Sequence, residues 1–497
     1  MFDDLHVSES LAVSSQALAA DAVAGAAARS KVTASNEALI LLNRIAPGAS
    51  RAERTRVAAL GYEAYLEEQL NPAALDDSAL DTVISQTLFT LVLNRAQLFA
   101  NARANGGNYG QIASEFTANF LLRALYSRRQ LFESTVGFWS DVLNIQLNAN
   151  AQLIVEKSLD DRLVVRPHAF GRFRDLLGAS AKSPAMLIYL DNASNGLNGS
   201  INENYARELM ELHTLGVDGG YSETDVIDVA RCLSGWSLNR TTGDFLFQPT
   251  YHDSGAKRVL GVNIAAGGGL QDGETVLDLL ASHPSTARYI ATRLIRRFVT
   301  DTPGSELITA VAQAFSSSSG DTRTMLRAMF LHPAVRGAPA SKFKRPQEFT
   351  LSMLRVLEAT AESNGFRLLA EALRGLAHTP FSWPSPDGYP DSAPYWLNSN
   401  ATLLRWNYAI NTTKGGARGG WRIAWTTLLE GVTTLEQLIP RVADIVGIGP
   451  LSGSALSLWT KSALTLTQRQ QITTANRDST AITLAALMLS GESFQLR

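Results

Sequence analysis

The stretch Asn202-Glu203-Asn204-Tyr205-Ala206-Arg207-Glu208-Leu209-Met210-Glu211-Leu212-His213-Thr214-Leu215-Gly216 decides the fold class. Tyr205, Leu209 and Leu212 recur at four- and three-residue spacing, the period of a helix with one apolar face. Glu203, Arg207 and Glu211 fall on a neighbouring polar line, and Gly216 supplies the left-handed cap that ends many helices. A helix over 202–215 follows.

The same period continues outward in both directions. Leu39, Leu42 and Ile45, then Leu60, Tyr65, Leu66 and Leu70, mark helices before it. Ile84, Leu88 and Leu91 place another over 81–95, and 101–109, with Gly106-Gly107, reads as a loop. Two long helices follow over 111–126 and 128–144, the second with Phe132, Val136, Trp139 and Leu143 facing inward. Ser222 with Asp225 caps a helix through Val226, Val229 and Leu233. Only Phe245-Leu246-Phe247 and 258–262 have strand character, as one small β-hairpin. Beyond them, helical spacing returns to the C-terminus. The expected fold is mainly α, a large multi-helix globular body with one small β-hairpin insertion. Its expected parts are a flexible Ala/Ser-rich arm (1–35), an N-terminal helical region (36–200), a central region (201–415) with the hairpin near 245–262, and a C-terminal helical region (416–497).

Composition narrows function by exclusion. Of the 497 residues, 45% are hydrophobic and 18% charged, so much of the chain enters a core. Lys and Arg total 44 against 46 Asp and Glu, which removes the electrostatic case for nucleic acid as a partner. No apolar run is long enough for a membrane-spanning segment. No signal peptide is evident, because the start is acidic where a basic region is needed. One cysteine, Cys232, rules out intrachain disulfides and cysteine-rich zinc sites. No Gly-x-Ser-x-Gly elbow, phosphate-binding Gly-x-x-x-x-Gly-Lys-Ser/Thr loop or His-Glu-x-x-His zinc helix occurs.

Chemistry concentrates in the opening stretch. Glu208 and Glu211 with His213 could supply an acid and a base or hold a divalent metal ion, since neighbouring carboxylates perturb one another's protonation. Glu203, Arg207 and Glu211 also fit a plain ion-pair ladder, with His213 favouring the helix end. One helix cannot complete a site, because Glu208 and His213 point in different directions. Candidate contributors from elsewhere are His168, Asp191 and the pair His252-Asp253: Asp253 for catalysis, His168 and His252 as metal ligands beside Glu208 and His213. A second candidate is the proline-rich segment 380–396, where Trp383, Tyr389 and Trp396 are ligand-binding candidates, although such rings more often pin an irregular loop.

The segment 202–221, followed by Ala230-Arg231-Cys232-Leu233-Ser234-Gly235-Trp236, resembles the hallmark of the bacterial domain-of-unknown-function 1800 family. Arg166-Pro167-His168, His252-Asp253, Lys344-Arg345-Pro346 and Pro386-Asp387-Gly388-Tyr389-Pro390 extend the resemblance over about residues 36 to 415. One departure stands out: where relatives commonly carry Phe-Trp-His-Asn-His-Phe, this chain has Phe138-Trp139-Ser140-Asp141-Val142-Leu143. The resemblance implies a helical fold and no established activity. It further implies export to the cell envelope, as in many relatives, and a sulfatase-like protein partner encoded nearby. Two functions are therefore expected to compete: a metal- or carboxylate-dependent enzyme-like protein, and a non-catalytic helical scaffold binding a partner protein or glycan.

Overall fold

Ser50, Asn94 and Ser222 each open a helix by the same exchange, in which the cap side chain accepts from the backbone of the third residue and that residue's side chain returns the bond. The cap at Asn94 changes the expected layout. In place of one helix over 81–95 and a loop over 101–109, the computed structural model has helices at Ser78–Thr87 and Arg95–Ala104. Gly106 and Gly107 then carry the chain through left-handed backbone. The structure describes residues 36–466 and 472–497; the expected arm over 1–35 lies outside them.

Helix α1 (Gly110–Tyr126) and helix α2 (Gln130–Val142) come next, as their periodicity predicts. Helix α3 (Asn204–Glu208) runs without a break into a π-helical turn, Leu209–Thr214. There the Leu215 amide reaches back five residues to the Met210 carbonyl at 2.8 Å, and the Thr214 hydroxyl donates to the Leu209 carbonyl at 2.6 Å. Helix α4 (Glu223–Cys232) packs beside α3.

The expected single hairpin is instead divided. Strand β1 (Trp236–Leu238) pairs antiparallel with β2 (Phe245–Phe247), and β3 (Lys257–Val259) with β4 (Val262–Ile264). Leu260 and Gly261 both have positive φ, the signature of a two-residue turn matched to strand twist, so the run 258–262 folds back on itself. Helices α5 (Leu270–Ser282), α6 (Pro284–Phe298) and α7 (Pro346–Val356) follow. A third two-stranded ladder joins β5 (Thr360–Ala361) to β6 (Trp421–Arg422), with α8 (Ser399–Lys414) between them in sequence.

The core has two large apolar clusters. One includes Trp139 on α2, Trp236 on β1 and Leu294 and Phe298 on α6. The other includes Phe116 on α1, Phe349 on α7, and Trp421 on β6. Helices α2 and α6 of the first cluster meet α1 and α7 of the second along a seam of buried charge. Among the described residues no helix is long and apolar enough to cross a membrane.

Candidate functional site

The π-turn decides what the polar segment presents. An extra residue in the turn shifts everything after it around the axis, so the expected four-residue ladder stops at its second member. Arg207 pairs with Glu203 at 3.1 Å and with Glu223 of α4, and Glu211 has no ion pair among the described residues. Met210 and His213 turn inward. His213 is fully buried and neither ring nitrogen has a partner among the described residues. Burial, with the Arg293 charge beside it, draws its pKa down to about 3, so it is a neutral imidazole.

Glu208, the last residue of α3, is part-buried and has no hydrogen bond or ion pair of its own among the described residues. Burial raises its pKa, and the charges of Glu211 and Asp387 raise it further, against a smaller opposing effect of Arg207. Asp387 belongs to the proline-rich segment, so the two stretches singled out in the sequence face each other. Tyr189 ties them together: its hydroxyl donates to the Pro384 carbonyl at 2.8 Å, and burial, Glu208 and Asp387 push it up to about 12.

The proline-rich segment is pinned from several sides. Asn144 donates to the carbonyls of Trp383 and Ser385 at 3.1 and 2.7 Å, and Arg293 donates to that of Asp387 at 3.2 Å. Trp383 stays partly exposed and donates its indole N–H to Asp387 at 2.8 Å. Tyr389 and Trp396 are buried, their rings 4.4 and 4.9 Å from the imidazole of His378, with their polar atoms given to Thr379 and Pro390 carbonyls. The two buried rings therefore shape the loop, and Trp383 is the member of the candidate trio beside the carboxylates.

Behind this loop lies the charge seam. Asp141 of α2 accepts from Arg297 and from Arg345, both at 2.9 Å, and Asp391 accepts from Arg297 at 3.3 Å. Burial alone would raise Asp391, but Arg297, Arg345 and Lys342 hold it well below the usual carboxylate range. Ser140 is buried and lines a small cavity with Asp141 and His378. Position 142 is a valine in the first apolar cluster. The Phe-Trp-Ser-Asp, Lys-Arg-Pro and Pro-Asp-Gly-Tyr-Pro motifs thus converge on one seam.

The remaining candidates sit elsewhere and share no partner with Glu208. His168 bonds through Nδ1 to the Val164 carbonyl at 2.7 Å. Asp191 caps a short turn in left-handed backbone. Asp253 is gripped by Arg231 at 2.8 Å, which holds its pKa down to about 2. The His252 side chain is almost wholly enclosed, with Nδ1 2.9 Å from the Ser234 carbonyl and Nε2 3.1 Å from Asp272. Ser234, His252 and Asp272 thus assemble the residue types of a nucleophilic triad. The arrangement does not serve as one, because the Ser234 hydroxyl is buried and donates to the Arg231 carbonyl at 2.6 Å. Among the described residues no three His, Cys, Asp or Glu side chains gather as a metal centre requires.

Sequence reasoning missed Asp387 as an acid, and Arg293, Arg297 and Asp391 altogether. For Arg297 the signal was present, since it follows Ile290 and Leu294 on the apolar line of α6, where a charge needs a buried partner.

The molecule is thus a mainly α protein in which the Glu208 carboxylate, beside a buried charge seam, has no ion pair among the described residues. It belongs to the family described as protein of unknown function (DUF1800), whose profile matches residues 40–496. No curated protein and no solved structure matches the chain.

Proposed function

We propose that the protein is an enzyme working by acid–base chemistry, with Glu208 as the proton-exchanging group. In this reading Asp387 and Glu211 hold the proton on Glu208, and Trp383 offers the face against which a neutral, hydroxyl-bearing substrate lies. The observation that carries it is the part-buried Glu208 carboxylate, without an ion pair among the described residues and with its pKa raised by burial and two like charges. Such groups are tuned toward general acids and cluster at functional sites. Its place at the mouth of a π-turn adds support, because π-turns inside helices recur where function demands an unusual side-chain direction. His168, His213, His252 and Asp253 then maintain the scaffold, and Tyr389 and Trp396 hold the loop.

The test begins with the proton itself. Carbon-detected NMR titration of Glu208 should give a pKa above that of a free glutamate, falling in both Asp387→Asn and Glu211→Gln variants. A Glu208 that titrates as in a free peptide and ignores both substitutions overturns the reading. Turnover of nitrophenyl glycosides and esters by the wild type, lost in Glu208→Gln, would then give the substrate class. Metal content of the same samples decides whether a divalent cation joins the carboxylates.

A second reading has its own observation. On α8, Leu403, Trp406 and Ile410 form an apolar stripe at helical spacing, preceded by Tyr395 and Leu397, and all five are exposed. Exposed apolar surface of this kind favours a scaffold that docks a partner protein. Co-purification with the sulfatase-like protein encoded beside relatives, abolished by Leu403→Asp with Trp406→Ser, would support it.

A further inference from the structure

Two small cavities adjoin inside the charge seam, one of about 40 Å³ and one of about 20 Å³. Phe120, Gly137, Arg297, Arg345 and Gln347 line both. The carboxylates are divided between them: Glu133 and Glu348 line only the larger, and Asp141 only the smaller. Two guanidinium groups and an amide line both cavities, and Asp141 Oδ2 bridges the guanidinium groups at 2.9 Å from Nη1 of each.

The donors at this junction are not used up. Arg297 and Arg345 make their hydrogen bonds to Asp141 and Asp391 through Nη1. Nη2 of Arg297 has no hydrogen bond among the described residues and lies 3.5 Å from where a β-carbon on Gly137 would stand. The Gln347 side chain has none either. Arg497, on the wall of the larger cavity, keeps a buried Nε without a partner. Gln130 presents an unpartnered acceptor there, on a wall the smaller cavity does not share. Arg497 pairs with Glu348 at 2.8 Å, and burial together with Arg497 draws Lys344 down to about 7.

We propose that the junction of Arg297, Arg345 and Gln347 binds a small inorganic anion no larger than sulfate. A water molecule needs roughly 10–15 Å³ of such space, so the cavities exceed a single water and exclude an organic ligand. Charge-assisted bonds from guanidinium donors to an anion are stronger than those to a neutral water. The anion also joins the two halves of the core, since it sits between α2 and α6 on one side and α1 and α7 on the other.

Thermal unfolding of the full chain tests this at constant ionic strength, with gluconate, too large for the cavity, replaced stepwise by chloride, nitrate or sulfate. The wild type should show a saturable rise in Tm with at least one small anion. Gly137→Ala should weaken that response by about tenfold or more. The variant should fold, because the added carbon meets Arg297 and Phe120 at ordinary contact distances of 3.5 Å while filling the junction. Gln347→Leu removes a donor and should weaken the response in the same direction. A Tm indifferent to these anions, or a response equal in wild type and both variants, overturns the proposal.

Discussion

Gly388 packs against the carbonyl of Asp141 so closely that a β-carbon at 388 would stand 2.0 Å from that oxygen. Its φ is also +74°, in the left-handed region. The proline-rich loop is thereby seated on the C-terminal end of α2, one residue after Asp387 and directly over the charge seam. Gly388→Ala should cost about 3 kcal/mol in urea unfolding, combining backbone strain with the clash. Because the loop must lift, Glu208 should also titrate closer to a free glutamate. A variant as stable as the wild type would show that the loop does not need this seat.

Glu208 makes the fold less stable at neutral pH. A carboxylate whose pKa is raised on folding binds more protons in the native state, so stability falls as pH rises from the free value through the raised one. Glu208→Gln should therefore raise stability at pH 7, by less than about 1 kcal/mol because solvent screens a half-exposed group. The gain should vanish below about pH 4, where both states are protonated. Tm measured for both proteins across that range gives the answer, and an unchanged or lower Tm at pH 7 would contradict it.

The sign is opposite for acid loss at His213. Its pKa of about 3 in the fold lies below the free value of 6.5, so the unfolded chain takes up the proton first. Stability is fully present above pH 6.5 and falls toward pH 3, by about 3 to 5 kcal/mol over the interval. His213→Leu removes a buried imidazole whose ring nitrogens have no partner among the described residues. It should leave stability at pH 7 level or higher and flatten the acid limb of a pH–stability curve from urea titrations.

Lys257 and Asp272 form a buried pair at 2.6 Å, with His252 Nε2 3.1 Å from the same carboxylate oxygen. Lys257→Met should cost about 3 kcal/mol, because it strips a buried carboxylate of its cation. Adding Asp272→Asn to the same chain should restore more than half of the loss. Urea midpoints for the single and double variants provide the comparison; equal midpoints would mean the pair carries no net charge coupling.

The helical fold was legible because three- and four-residue spacing runs along most of the chain, and the polar segment because Glu203 to Glu211 is dense in charge. The π-turn was not, since it depends on a hydroxyl, Thr214, bonding back to Leu209, and that leaves no trace in periodicity. The same turn removed Glu211 from its ladder and sent His213 inward. The strand run 258–262 hid a reversal at Leu260-Gly261, where only one of the two turn residues is a glycine. Glu208 and Asp387 could not be joined from sequence, because their meeting is produced by the seating of a distant loop.

The seam has a kinetic consequence. Asp141 finds Arg297 across 156 residues of chain and Arg345 across 204. Pairings of such long range close late, after the entropy of the intervening loops has been lost. Until they close, any collapsed intermediate holds dry, unmatched charges, which raises its free energy. The seam is therefore expected to close late in folding, after the local helices on either side of it.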